Sequence, residues 1–166
     1  ANFNVAGAFD QSGGGAVNLG ANIITADAAI GFTNAITLTN GVTLGTGAGA
    51  GTVTLGNTID SDATARALTI TAGTGNVVFQ TGANVGTAVA AGSALSSIDV
   101  TAANITLRDV TTTGTQLYTA TGTIDTNSTY ITTGNNITFA GATVANSALV
   151  IDTTDGGNAT TAGNVT

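Results

Sequence analysis

Short blocks in which apolar and polar residues alternate recur along this chain. The clearest stretch runs from Ala67 to Asp109, where an alternating segment, a tight turn and a second segment opening with Asn occur twice. Successive side chains of a β-strand point to opposite faces, so each block has one apolar and one polar face. No window of comparable length shows a sustained 3.6-residue period. The pattern predicts an all-β chain of half-buried strands.

A four-residue motif underlies these blocks: a small residue or Asn, a β-branched residue, a Thr-like residue, then Leu or Phe. Its β-branched positions are Val17, Ile36, Val53, Val77, Ile105, Ile137 and Val165. The intervals between them lengthen after Val53 to roughly 24–32 residues, which is typical of stacked repeats. One shared core is expected to contain Val77, Phe79, Ile105, Leu107, Ile137 and Phe139.

Two all-β architectures fit this pattern, each with residues 1–166 as a single repetitive β domain. The favoured one is a β-solenoid, in which coils of ~25–30 residues hold three short strands and pair in parallel. The alternative is an antiparallel β-sandwich, because short strands with turn signals every ~8–12 residues are also typical of that fold. The turn Asn40-Gly41 fits either a three-residue hairpin loop or a solenoid corner, with Gly41 left-handed in both.

Composition supports a β fold and excludes several partners. The chain is 42% apolar but only 4% aromatic, and it contains 24 Gly with no Pro or Cys. Lys, Glu and His are absent, and the net charge is −7 with Arg66 and Arg108 as the only cations. This charge argues against nucleic acid and anionic membrane surfaces, both of which require basic clusters. No apolar run reaches the ~18 residues of a membrane-spanning helix, so no membrane insertion is expected.

Three pairs of acids are the only candidates for chemistry: Asp60 with Asp62, Asp99 with Asp109, and Asp152 with Asp155. Two placed carboxylates are what a glycoside hydrolase needs. Without His, Lys or Cys, however, nucleophile–base pairs and zinc sites are largely excluded. We interpret the acids as turn residues and as surface ion-pair partners of the two arginines, and we expect no catalytic residue and no enzyme.

The segment 152–158, which reads Asp-Thr-Thr-Asp-Gly-Gly-Asn, offers hard oxygen ligands in a glycine turn. Asp152 and Asp155 are therefore a weak calcium candidate. The competing interpretation is an Asx-type turn, in which the side chains bond to the local backbone. No other cofactor is expected.

Asparagine and threonine carry two further hypotheses. Five residues open an Asn-x-Ser/Thr sequence: Asn104, Asn127, Asn136, Asn158 and Asn164. These are either glycosylation acceptors or members of hydrogen-bonded ladders between stacked coils, and ladders are favoured. Three Thr-x-Thr pairs could form a flat array that orders water and binds ice: Thr37/Thr39, Thr52/Thr54 and Thr69/Thr71. A polysaccharide-binding solenoid belongs to the same minor alternative.

Four stretches resemble bacterial surface proteins of the filamentous-haemagglutinin type and the giant adhesins built from β-strand repeats. They are residues 67–79, 96–107, 113–126 and 148–166. The resemblance implies a right-handed parallel β-helix, secretion across an outer membrane, and adhesion or fibre formation at the bacterial cell surface. The expected function is therefore a structural or adhesive extracellular module.

The two ends of the chain are the expected assembly sites. Both read as strand or repeat motif, which suggests a piece of something larger, and exposed strand edges recruit other strands. The expected partners are further copies or flanking repeats, joined through β-ladder pairing. The alternative is a pilin-like sandwich subunit that polymerises by strand addition, with residues 1–5 as the donor strand. The assembly residues are Ala1, Asn2, Phe3, Asn4, Val5, Asn164, Val165 and Thr166.

Overall fold

The chain folds as a parallel β-solenoid of about seven coils. The computed structural model describes residues 1–87, 92–126, 128–157 and 159–166, and this part of the chain contains eighteen strands and no helix. Every strand ladder is parallel, for example Phe3 beside Ile23 and Leu68 beside Ile98. The sandwich alternative is therefore wrong. The donor strand that it required, residues 1–5, lies instead in the first coil.

The wall of the solenoid has three faces, and on each face the strands of successive coils lie side by side. Face 1 contains β1 (Asn2–Val5), β4 (Asn22–Thr25), β7 (Val42–Gly45), β10 (Ala67–Thr71) and β12 (Ser97–Ala102). Face 2 contains β2 (Phe9–Gln11), β5 (Ile30–Phe32), β8 (Val53–Leu55), β11 (Val77–Phe79) and β13 (Ile105–Leu107). Two long strands, β15 (Gln116–Thr126) and β17 (Ile137–Val144), bend from face 1 into face 2. Face 3 contains β3 (Val17–Leu19), β6 (Ile36–Leu38), β9 (Ile59–Ser61), β14 (Val110–Thr112), β16 (Thr129–Thr132) and β18 (Val150–Asp152).

Coil length varies more than the sequence pattern predicts. The face 1 register runs through Phe3, Ile23, Leu44, Ile70, Val100, Tyr118 and Phe139. The longest step leads from Ile70 to Val100, and the shortest follows it directly, from Val100 to Tyr118. The predicted coil length therefore holds only in the middle of the chain. Strands stay short in most coils, so the variation lies mainly in the corners and loops.

Four of the six motif intervals correspond to paired strands. They are Val17 with Ile36, Val53 with Val77, Val77 with Ile105, and Ile137 with Val165. The other two are wrong. Ile36 lies on face 3 and Val53 on face 2. The sequence pattern did not separate them because all three faces have the same alternation. Ile105 pairs with Ile124 in β15, whose sequence departs from the motif, so one whole coil was missed.

The predicted core is confirmed. Five of its six members are at most 1% exposed, and Phe139 is half-buried against the same cluster. The turn at Asn40-Gly41 is a solenoid corner, since Leu38 on face 3 and Val42 on face 1 are both buried. The left-handed conformation predicted for Gly41 is wrong. At this corner the Gly41 N–H donates to the Asn40 side-chain oxygen at 2.9 Å, and the φ of Gly41 is not positive.

The corner between faces 1 and 2 is packed backbone to backbone. The Thr74 N–H donates to the Gly49 carbonyl oxygen at 3.0 Å, and the Ala103 N–H donates to the Gly75 carbonyl oxygen at 2.8 Å. A Cβ atom at Gly75 would overlap the Gly51 carbonyl oxygen. This column of turns therefore depends on residues that have no side chain.

The sixth coil contains a buried polar cluster centred on Gln116, which is 1% exposed. Its side-chain N–H groups donate to the carbonyl oxygens of Ile131 at 2.8 Å and Val110 at 3.2 Å. Its side-chain oxygen accepts the Tyr118 hydroxyl at 2.9 Å, and burial raises the pKa of that phenol well above its ordinary value. The amide is tolerated in the core because its polar atoms have partners.

Replacing Phe79 with Ala should lower the free energy of unfolding by about 3–5 kcal/mol, because the side chain is fully buried and leaves a cavity. Phe3→Ala is the matched control, since Phe3 is 54% exposed, and it should cost less than about 1 kcal/mol. Urea denaturation of the two variants measures both values. Equal losses would contradict the assignment of Phe79 to the core.

Gly75→Ala should destabilise the chain by about 2 kcal/mol or more, because the added methyl group meets backbone that has no room to move. Gly14→Ala is the control: no atom lies within 4 Å of its added Cβ, and neither glycine has a positive φ. Comparing thermal midpoints of the two variants separates lost space from altered backbone entropy. Similar midpoints would contradict the close packing of this corner.

Candidate functional site

The two acids of the first pair, Asp60 and Asp62, have different structural roles. Asp62 and Arg66 form a two-pronged ion pair, with both nitrogen–oxygen distances 2.9 Å. The Arg66 guanidinium, followed by the Thr64 N–H, lowers the pKa of Asp62. Asp60 points elsewhere, and its Oδ1 accepts the N–H of Thr87 at 2.9 Å. The two carboxylates therefore do not form a common site.

The second pair is also separated. Asp99 is exposed on face 1, whereas Asp109 lies at the corner that precedes β14 on face 3. The Asp109 Oδ1 accepts the Thr129 N–H at 2.9 Å. Arg108 donates to the Leu107 carbonyl oxygen at 3.0 Å, and the described residues contain no salt bridge to Arg108. The ion pair predicted at this arginine is therefore wrong.

Asp152 forms the Asx-type turn that the sequence offered as one of two interpretations. Its Oδ1 accepts the Thr154 N–H at 2.8 Å, and its Oδ2 accepts the Gly156 N–H at 2.7 Å. These backbone donors lower the pKa of the carboxyl group. The other calcium candidate, Asp155, has a φ of 50°. Among the described residues, which leave out Asn158, no three acidic, His or Cys side chains are grouped as metal ligands.

Asparagine ladders connect neighbouring coils, as predicted. The Asn104 side chain donates to the Asn76 side-chain oxygen at 3.0 Å, and its own oxygen accepts the Thr123 N–H at 2.9 Å. The Asn136 side-chain oxygen accepts the Asn164 N–H at 2.9 Å. Two of the five predicted acceptor positions, Asn127 and Asn158, lie outside the described residues.

The three Thr-x-Thr pairs proposed as an ice-binding array do not share a surface. Thr37 belongs to face 3, Thr54 to face 2, and Thr69 with Thr71 to face 1. Successive motifs along the sequence lie on different faces because a corner of the solenoid separates them. These pairs therefore form no single flat array.

The first coil is an open edge on all three faces. Its strands β1, β2 and β3 each pair with one neighbour only among the described residues: β4, β5 and β6. The other side of each strand has no ladder. Asn2, Phe3 and Asn4 are exposed, and Val5 is half-buried. The predicted N-terminal assembly residues therefore lie at a strand edge.

At the other end, residues 164–166 begin a further coil on face 1. The Ile137 N–H donates to the Asn164 carbonyl oxygen at 2.9 Å, and the Phe139 N–H donates to the Thr166 carbonyl oxygen at 2.8 Å. The hydroxyl oxygens of Thr138 and Thr166 are 3.0 Å apart. Val165 remains 49% exposed because no described segment covers it. The last three residues thus repeat the register of the coil below and leave a second open edge.

Aromatic side chains cluster at the two ends of the solenoid. Near the first coil, the Phe9 ring lies 6.1 Å from Phe3 and 5.3 Å from Phe32. Near the last coil, the Phe139 ring lies 5.3 Å from Tyr118 and 5.4 Å from Tyr130. Phe79 is the seventh aromatic residue and lies in the middle, so the central core is almost entirely aliphatic. Sequence spacing did not single out these clusters, because their members come from different faces.

The fold and its two open edges define a parallel β-helix repeat protein. Comparison with family models, with curated proteins and with solved structures finds no match to this chain. The described residues contain no helix that is long and apolar enough to cross a membrane.

Asp152→Asn should lower stability near neutral pH, because a neutral amide accepts the turn N–H groups more weakly than a carboxylate. The folded-state pKa of Asp152 is depressed below 3.8. Its stabilising contribution is therefore present above the unfolded-state pKa and lost as pH falls through the folded-state pKa. The urea midpoints of the native chain and the variant should differ near neutral pH and converge as the pH falls through the folded-state pKa of Asp152. Asp99→Asn is the control, because Asp99 is exposed on face 1. A difference in urea midpoint between Asp152→Asn and the native chain that stays the same at all pH values would contradict the role of the turn carboxylate.

Proposed function

We propose that this chain is a structural segment of an extracellular bacterial adhesin or surface fibre, extended at both ends by parallel β pairing. The observation that carries the proposal is the contrast between closed sides and open ends. Along the sides, the internal strands of faces 1 and 2 pair with a strand above and a strand below, and on face 3 isolated bridges at Val85 join β9 to β14. At the ends, parallel edges lie over an apolar core.

The exposed apolar side chains support extension at the ends. The large hydrophobic residues that are exposed in the described part of the chain are Phe3, Val144, Leu149, Val150 and Val165. They lie in the first coil or beyond the start of β17. Apolar surface next to an unpaired edge favours association with another strand. Lys and Pro, which commonly block such edges, are absent from the whole chain.

The sides of the solenoid suit a rod better than a catalyst. Outward positions of the central strands carry mainly short polar residues, such as Thr54, Thr69 and Thr106. The acids predicted as pairs are either separated between faces or used by turns and one ion pair. The proposal therefore includes no catalytic role. The resemblance to repeat adhesins supports a position at the bacterial cell surface.

The proposal predicts that the isolated chain associates through its ends. Phe3→Lys and Val165→Lys should each reduce association, because a charge at an edge strand opposes pairing. Both side chains are about half exposed, so thermal midpoints should change little. Sedimentation velocity over a concentration series measures the association, and hydrogen exchange measures protection of the first coil.

Val78→Lys is the matched control, since Val78 points outward from β11 on a side that is already paired above and below. It should leave association unchanged. A chain that stays monomeric at every concentration, with first-coil amides protected as strongly as those of β11, would overturn the proposal. Equal loss of association in the control would assign the contact to the sides instead.

A further inference from the structure

Face 3 is interrupted in the fourth coil, where isolated bridges replace a regular strand. Val85 pairs with Ile59 on one side and Val110 on the other, and Leu95 pairs with Thr112. Face 3 is therefore bridged at Val85 and again at Leu95, with no regular strand between them among the described residues. Gly86, the residue after Val85, has a φ of 63°, and an added Cβ there would overlap the Thr111 carbonyl oxygen.

A hydrogen-bonded clamp connects Thr87 and Ser93 to each other and to the third coil. The Asp60 Oδ1 accepts both the N–H and the hydroxyl of Thr87, at 2.9 and 3.2 Å. The hydroxyl oxygens of Thr87 and Ser93 lie 3.1 Å apart, and the Ser61 N–H donates to the Ser93 carbonyl oxygen at 2.9 Å. The third and fourth coils therefore remain bonded to each other through Thr87 and Ser93.

A groove of about 260 Å³ lies on face 3 beside this clamp. It crosses three coils: Asn84 and Thr87 belong to the fourth, Asp109 and Thr111 to the fifth, and Thr129 and Ile131 to the sixth. Since parallel strands are about 4.8 Å apart, its lining spans roughly 10 Å along the solenoid axis. That length and volume suit one or two units of a chain-like ligand rather than a large compact one.

Several polar groups in the groove are free to bond a ligand. Within the described part of the chain, no protein partner is present for the side-chain amide of Asn84 or for the hydroxyls of Thr111 and Thr129. Asp109 uses Oδ1 for the Thr129 N–H, and no described residue bonds its Oδ2, which is therefore available as an acceptor. The groove therefore offers amide and hydroxyl donors together with amide, hydroxyl and carboxylate acceptors.

The remaining chemistry of the lining selects the ligand class. Ile131 points outward between the buried Tyr130 and Thr132, so it provides an apolar patch on the groove floor. Neither arginine lines the groove, and its one charged residue is Asp109, which disfavours anionic ligands. A ligand with many hydroxyl groups and apolar C–H surface matches this mixture.

We propose that the groove on face 3 binds a neutral oligosaccharide. Hydroxyl groups of the sugar donate to the Asp109 carboxylate and the Asn84 oxygen, and accept from the Asn84 amide and the Thr111 hydroxyl. The apolar edge of a sugar ring covers Ile131. The groove is on the side of the solenoid. It would therefore stay accessible in a rod built by end-to-end pairing, and sugar binding does not depend on that assembly.

The test is an amide NMR titration of the full chain with maltohexaose, cellopentaose and chitopentaose. At least one probe, at millimolar concentration, should shift the amide signals of Asn84, Thr111 and Ile131 in a saturable way. Absence of saturable shifts with all three probes would overturn the proposal. Shifts spread over all three faces would overturn it equally, because they would indicate non-specific contact.

Thr111→Val removes one groove hydroxyl with little change of shape and should weaken binding about fivefold or more. Thr106→Val is the matched control. Thr106 is a half-buried outward residue in the middle of β13 on face 2, as Thr111 is in β14 on face 3. Its affinity should equal that of the native chain. Equal weakening in both variants would overturn the assignment to face 3.

A cationic peptide is the competing ligand, because the groove contains a carboxylate. Trilysine is therefore titrated in parallel at low and high salt. Asp109→Asn keeps a side-chain oxygen acceptor but removes the charge, so it should reduce sugar binding only modestly. Groove shifts with trilysine but with none of the sugars would overturn the proposal. End-to-end association, measured separately by sedimentation, can fail or succeed independently of either result.

Discussion

The structure depends on one constraint: every internal strand of the solenoid is held in register by parallel backbone hydrogen bonds to the coil below and the coil above. A strand such as β10 pairs with β7 on one side and β12 on the other. Because side chains alternate with a period of two, a slip of one residue would turn Leu68 and Ile70 out of the core. The ladder therefore fixes which residues stack on which, and the aliphatic core follows from it.

The same constraint explains why the ends differ from the sides. An internal strand has both edges satisfied, so only its outward side chains meet solvent. Strands of the first coil have a ladder on one side only among the described residues, and there Phe9 packs against the core with the exposed Phe3 ring beside it. Phe139 does the same at the other end, against Tyr118 and Tyr130. Large rings cover more of an open core than Ile or Val can, which is consistent with their clustering in the outer coils.

The ladder restricts where the chain can vary. Residues inserted within a strand would break pairing on both sides, whereas residues inserted at a corner or after a bridge leave the register intact. The interval between Val85 and Leu95 illustrates this, since both residues keep bridges to β14. Thr87, in this interval, is bonded to Asp60 in the coil below. A long coil can therefore be followed directly by a short one without disturbing the core.

The alternation of apolar and polar residues determined the all-β fold and most of the core by itself, because burial of one strand face follows directly from the two-residue period. Val77, Phe79 and Ile105 were assigned to the core on that basis. The same alternation could not distinguish one face from another, so Ile36 and Val53 were placed in one row although a corner separates them. Gln116 carries no core signature in sequence, and it is buried only because Ile131 and Tyr118 supply its hydrogen bonds across the coil. The groove on face 3 could likewise be recognised only in the tertiary structure. Its residues come from three coils, and only the stacking of those coils brings them together.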